Sequence, residues 1–184
     1  MVLLLTNGLT YTMLESNAEI EAIIEEAVEI ARHYKHEFVT VEHILMALMK
    51  TDNFKTMMLE YGVNYTDLYN ELTNIIETRF HDIIDETGPT PKKTHALERV
   101  FSRAFTQVLF SGRQKFQTID LFISITNETN SYAAWLMRKY GVEQDGLIEF
   151  YNTSYCGPND KHGVQSKALQ ILEEFCTNLN TLVD

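Results

Sequence analysis

Apolar residues recur along this chain at helical spacing. The first run falls at Ile20, Ile23, Ile24, Ala27, Ile30, Ala31 and Tyr34, the i, i+3, i+4, i+7 stripe of a helix that buries one face. Glu21, Glu25, Glu26 and Glu29 lie largely off the stripe and read as its solvated side. Ser16 with Glu19 three residues on predicts a capping box at its start. Thr40 is the expected N-cap of a second helix, from Val41 to about Lys50, with Ile44, Leu45 and Leu48 facing inward. A third helix should end near Tyr61, with Gly62 as a left-handed C-cap, and a fourth should run from about Tyr65 to Arg79. Residues 85–94, DETGPTPKKT, hold Gly88, Pro89 and Pro91 and read as a loop.

Beyond that loop the pattern restarts, with a one-face stripe at Leu97, Val100, Phe101, Ala104 and Val108. Phe116 to Leu121 echoes Phe38 to His43, pairing Thr40 with Thr118 at a separation of 78, and Gly141 echoes Gly62 at 79. Caps and glycines at matched offsets predict an internal duplication of a four-helix unit. The fold class expected is therefore all-α: two pseudo-symmetric four-helix repeats sharing one core, plus a C-terminal helix.

Composition narrows the function. The 184 residues carry a formal net charge of -11, which disfavours nucleic acid and anionic membranes and suits an acidic docking face. Only Cys156 and Cys176 are present, too few for a disulfide framework, which fits a reducing cytoplasm. Residues 1–13 have no charge and only the short apolar run Val2–Leu5, so they are expected to be a disordered extension, not a signal or span. The expected organisation is a domain at 14–153, with repeats at about 16–84 and 94–153. A polar linker at 154–166 and a helix at 167–184 follow, the latter carrying Leu169, Leu172, Phe175 and Leu179.

Catalytic constellations do not assemble. A zinc-protease helix needs two histidines one turn apart, whereas His36 and His43 are seven apart across a helix boundary. His33 and His36, three apart, read as partly exposed residues at a helix end. Ser111 and Ser124 lack a partnered His and acid. Trp135 and the set Phe101, Phe105, Phe110 and Phe116 fall at core spacing, and Met46, Met49, Met57 and Met58 read as core filling before an adaptable groove. Glu42 admits two readings, a local bond in the first turn of its helix or, with Glu37, an acidic contact for a partner.

The run Tyr34-Lys35-His36-Glu37-Phe38-Val39-Thr40-Val41-Glu42-His43-Ile44-Leu45-Met46-Ala47-Leu48 resembles the H-x-[FY]-[VIM]-x-x-E-H-[IL]-L-x-A-[LI] signature of Clp ATPase N-terminal domains. Residues 99–104 with Ser111-Gly112-Arg113, and residues 133–140, are similar to the ClpA type in particular. Residues 172–180 resemble the lead-in to a first AAA+ module. No G-x-x-x-x-G-K-[ST] loop occurs in the sequence, so ATPase activity is not expected of it. The resemblance implies a docking module, not an enzyme and without a cofactor. It would bind a ClpS-like adaptor or protein substrates within a Clp unfoldase system, and would be a monomer in isolation. Carried over position by position, the adaptor contacts are His36, Glu37, Thr40, Glu42 and Thr94. The resemblance also implies an incidental, non-essential metal position at His36 and Glu77. The alternative is a structural or regulatory partner, or competitor, of a Clp complex without direct adaptor affinity.

Overall fold

A computed structural model describes residues 17–156, apart from positions 89 and 114. The extension at 1–13 and the C-terminal helix at 167–184 lie outside the described residues. Eight α-helices are present among those described: α1 Ala18–His33, α2 Val41–Met49, α3 Asp52–Tyr61, α4 Tyr65–Arg79, α5 His95–Phe110, α6 Thr118–Thr126, α7 Tyr132–Lys139 and α8 Gln144–Tyr155. The helical part of the all-α expectation holds, with α1–α4 and α5–α8 forming the two repeats.

The short central helices organise the core. All nine residues of α2 are buried, and so are Ile119 to Ile125 of α6. A helix apolar on every side belongs inside, not on a surface. Helix α1 packs chiefly on α2 and α5 chiefly on α6, while the repeats meet where α2 contacts α5, α6 and α7 and where α4 contacts α7. Phe54 of α3 meets Phe122 of α6 edge to face, with ring centroids 4.7 Å apart. Edge-to-face pairs of this kind add to area burial by aligning ring edge with ring face.

Most polar groups caught in these helices are satisfied, as burial demands, Thr118 Oγ1 at the start of α6 being an exception. Ser124 Oγ donates to Val100 O at 2.7 Å and accepts from Arg103 Nε at 3.1 Å. Buried Glu128 takes Arg99 at 2.7 Å and Arg103 at 2.8 Å, tying the end of α6 to α5.

Several local expectations need correction. Helix α1 is capped by Asn17, whose side chain accepts from Glu19 N at 2.9 Å, instead of by a Ser16–Glu19 box. Helix α8 continues to Tyr155, into the span expected to be linker. Residues Lys92–Lys93, expected to be loop, form β2 and pair in parallel with β1, Phe38–Val39. Phe110 and Trp135 are 59% and 45% exposed, so the helical spacing that placed them in the core misassigned both. The four methionines, together with Phe101, Phe105 and Phe116, are buried as expected.

The duplication is in register one position away from the sequence echo. Thr40 caps α2 and Gln117 caps α6, so the connections match at an offset of 77. Each helix exit then repeats: Lys35 and Gly112 both take left-handed φ, +57° and +70°. His36 N donates to Ala31 O at 2.8 Å, and Arg113 N donates to Val108 O at 3.2 Å. The misleading signal was a threonine shared by the two sequences at adjacent, non-equivalent positions.

Candidate docking face

The α1–α2 connection and the loop between the repeats are sewn into one strap. Glu37 N donates to Ile83 O at 2.7 Å, Asp85 N to Lys35 O at 2.8 Å, Lys92 N to Glu37 O at 2.8 Å and Thr94 N to Val39 O at 3.2 Å. Four backbone bonds over so few residues consume the donors that a loop otherwise leaves to water. The Pro-rich loop is thereby held against the signature run.

On this strap the five candidate residues separate by exposure. Glu37 is half-exposed and faces Lys92 Nζ at 3.6 Å, an ion pair open to solvent. Thr40 and Thr94 are half-buried N-caps; Thr94 Oγ1 accepts from Leu97 N at 3.2 Å and donates to Val39 O at 3.4 Å. Glu37, Thr40 and Thr94 therefore share the strap. His36 and Glu42 are each only 4% exposed, beneath it.

His36 is not the partly exposed histidine the sequence suggested. Its Nδ1 lies 2.9 Å from His43 Nε2, and Tyr34 stacks on its ring with centroids 5.7 Å apart. Thr40 N donates to His43 Nδ1 at 2.9 Å, so the His43 proton sits on Nε2 and is donated to His36 Nδ1. Both rings are then neutral. Burial, followed by the neighbouring His81, lowers the His36 pKa; burial, followed by His36, pushes His43 down to about 3. In the second repeat the equivalent positions hold Arg113 and Asp120, a buried bidentate ion pair with one arm at 3.2 Å. Burial raises the Asp120 carboxyl, and the Arg113 guanidinium pulls it back.

Glu42 does not bond within its own first turn. Its Oε1 accepts from Ala133 N of α7 at 3.2 Å, across the repeat boundary. Glu77 is exposed and its Oε1 accepts from Tyr34 Oη at 3.4 Å, the same tyrosine whose ring stacks on His36. No group of three or more His, Cys, Asp or Glu placed to hold a metal occurs among the described residues.

Two surface features escaped the sequence reading. An open apolar groove of about 730 Å³ runs between α1 and α5 along the strap, with Ile24 and Val28 on one wall and Leu97 and Phe101 on the other. Its signal was the breadth of the α1 stripe, since Ile24 and Val28 extend the apolar face past what one neighbour covers. Exposed Tyr132 and Trp135 crown α7, and Tyr132 lies 6.2 Å from Phe80 at the seam of the repeats.

The model of the Clp repeat (R) N-terminal domain family matches residues 16–140. The chain belongs to the Clp N-terminal domain family. Among curated proteins, this Clp N-domain is 27% identical over 135 residues to a ClpA homolog protein of Fuscovulum blasticum, covering 73% of this chain and 17% of the relative. It is 27% identical over 124 residues to the chaperone protein ClpB of Rhodopirellula baltica, covering 67% of this chain and 13% of that one. The Clp N-domain thus spans less than a fifth of the length of these relatives. Its fold is similar to the Hsp104 N-terminal domain of Candida albicans, with a TM-score of 0.66 at 12% identity over 82% of this chain and 99% of the other. The ClpV N-domain solved with a VipB peptide is also similar, with a TM-score of 0.59 at 14% identity over 80% and 94% of the two chains. No helix among the described residues of this Clp N-domain is long and apolar enough to cross a membrane.

Proposed function

We propose that this Clp N-domain is a cytoplasmic docking module that binds a ClpS-like adaptor, and substrates delivered with it, for a Clp-type degradation system, without catalysis of its own. The observation that carries this reading is the strap, where the family signature and the loop between the repeats present Glu37, Thr40 and Thr94 on one fixed surface. A surface held by backbone hydrogen bonds needs little ordering on association, which favours recognition. Glu37, half-exposed beside Lys92, supplies the anionic contact in a chain of net charge -11, and such rim charges set orientation and encounter rate. His36 and Glu42 support the surface from below. The peptide bound by the ClpV N-domain supports the idea that this fold accepts protein segments.

The test is a calorimetric titration of the chain with a ClpS-type adaptor, beside Glu37→Lys and Thr94→Lys variants. Low-micromolar binding that weakens at least about tenfold in either variant is the expected result. Absence of binding at high micromolar concentration removes adaptor recruitment and leaves the structural or regulatory partner as the reading.

A further inference from the structure

The α1–α5 groove differs in character from the surface around it. Ile24, Val28, Val39, Ile44, Leu97 and Phe101 make it apolar, and Ile24 and Val28 remain half-buried. At the mouth stand Lys93 and His95, both exposed and both facing Glu98, at 4.0 and 3.4 Å. Among the lining residues Lys93 and Arg99 stand against one carboxylate, Glu98, so on an acidic chain this rim keeps a small formal excess of positive charge. The groove therefore fits an apolar segment that carries acid beside its apolar side chains.

The sequence holds such a segment. Leu169, Leu172, Phe175 and Leu179 recur at the spacing of one helical face, with Glu173 and Glu174 among them. The tether also suffices. Tyr151 and Tyr155, near the end of α8, line a cleft together with Asn17 and Glu19 at the start of α1. Ile24 and Val28 lie roughly 8 to 14 Å further along α1, at 1.5 Å per residue. Residues 157–166 can reach roughly 33 Å when extended. Tethering also raises the local concentration to the millimolar range, so a weak fit is enough for occupancy.

We propose that residues 167–182 are the occupant of the α1–α5 groove, with Leu172, Phe175 and Leu179 against its apolar walls and Glu173 on the side of Lys93 and Arg99. This goes beyond adaptor docking on the strap and stands or falls separately from it.

Native Cys176 provides the test in the full chain. With Cys156→Ser to leave one thiol, Ser102→Cys is placed at the groove and Asn70→Cys on exposed α4 as the control. Mild oxidation should close an intramolecular disulfide from Cys176 to the Ser102→Cys position about tenfold or more faster than to the control, because closure needs Cα atoms within about 7 Å. Adding Phe175→Glu should bring the two rates together while leaving the bundle helical and cooperatively folded, its melting point lowered only by the loss of the docked segment. Equal rates at the two positions before Phe175→Glu is added overturn the proposal, as does trapping that rises with protein concentration, which would make the occupant a second copy.

Discussion

The Glu42 carboxylate accepts a hydrogen bond from the Ala133 backbone N–H at 3.2 Å, joining residues 91 positions apart. Ala133 lies in the first turn of α7, where backbone donors lack helical partners. Ser131 Oγ satisfies the next donor, Ala134 N, at 3.0 Å. A side chain of the first repeat therefore completes the cap of a helix in the second, and buried Glu42 acts as a joint between the repeats.

Glu42→Ala should cost about 1–3 kcal/mol, because it leaves Ala133 N buried without an acceptor. Glu42→Gln keeps an acceptor oxygen and should cost less. Glu37→Ala, whose ion pair with Lys92 is solvent-exposed, should change stability by less than about 0.5 kcal/mol. Urea denaturation of the three variants checks this, and a Glu37→Ala loss as large as that of Glu42→Ala would contradict it.

Asp120→Ala should be the most damaging of the buried polar changes. It strands the Arg113 guanidinium, only 5% exposed, and removes the acceptor for Gln117 N at 2.9 Å. Breaking a buried pair from one side costs about 3–5 kcal/mol. Replacing both partners, as Arg113→Met with Asp120→Asn, should cost less than Asp120→Ala alone, measured as denaturation midpoints at constant pH.

Acid should weaken the first repeat through its two histidines. Both rings have folded pKa values below the ordinary value, with His43 near 3, whereas the unfolded chain takes up protons near pH 6.5. The unfolded state then binds more protons, so stability is complete above about pH 7 and falls as pH drops from about 6.5 toward 3. The slope approaches about 1.4 kcal/mol per pH unit for one fully protected ring. Between pH 7.5 and 5.5 the wild type should lose about 1–2 kcal/mol more than His43→Asn, whose side chain does not titrate. Parallel losses in the two proteins would show that other groups dominate.

Lys35 holds a left-handed backbone, φ +57°, where the second repeat has Gly112 at +70°. That conformation strains a residue with a Cβ. Lys35→Gly should raise stability by up to about 1 kcal/mol, the relief being partly offset by the greater chain entropy of glycine in the unfolded state. Gly62→Ala, at the α3 C-cap with φ +94°, should lower it by about 1 kcal/mol. Thermal melts of the pair should move in opposite directions.

Much of this was written in local order. Helix periods, the Thr40 cap, the Gly62 terminus and the duplication are properties of residues a few positions apart, where spacing translates directly into which face is buried. The family signature at 34–48 was legible for the same reason. Trp135 and Phe110 obeyed that period and still point to solvent, because spacing shows which residues share a face but not whether another element covers it. The shift of the echo by one position, from Thr118 to Gln117, went unseen because a cap is defined by hydrogen bonds and not by residue type.

By itself the sequence determined the helices, their repeat and the place of the strap's residues along the chain. Only the tertiary structure decided which of those residues are available to a partner. Lys92 and Lys93 became a strand because Glu37 and Val39 offered carbonyl oxygens to Lys92 N and Thr94 N. His36 went inside because His43, seven residues on, held a proton for it to accept. Glu42 went inside because α7 brought an orphan N–H within reach. Each outcome depends on a donor or acceptor supplied from elsewhere in the chain, and no local pattern records that supply.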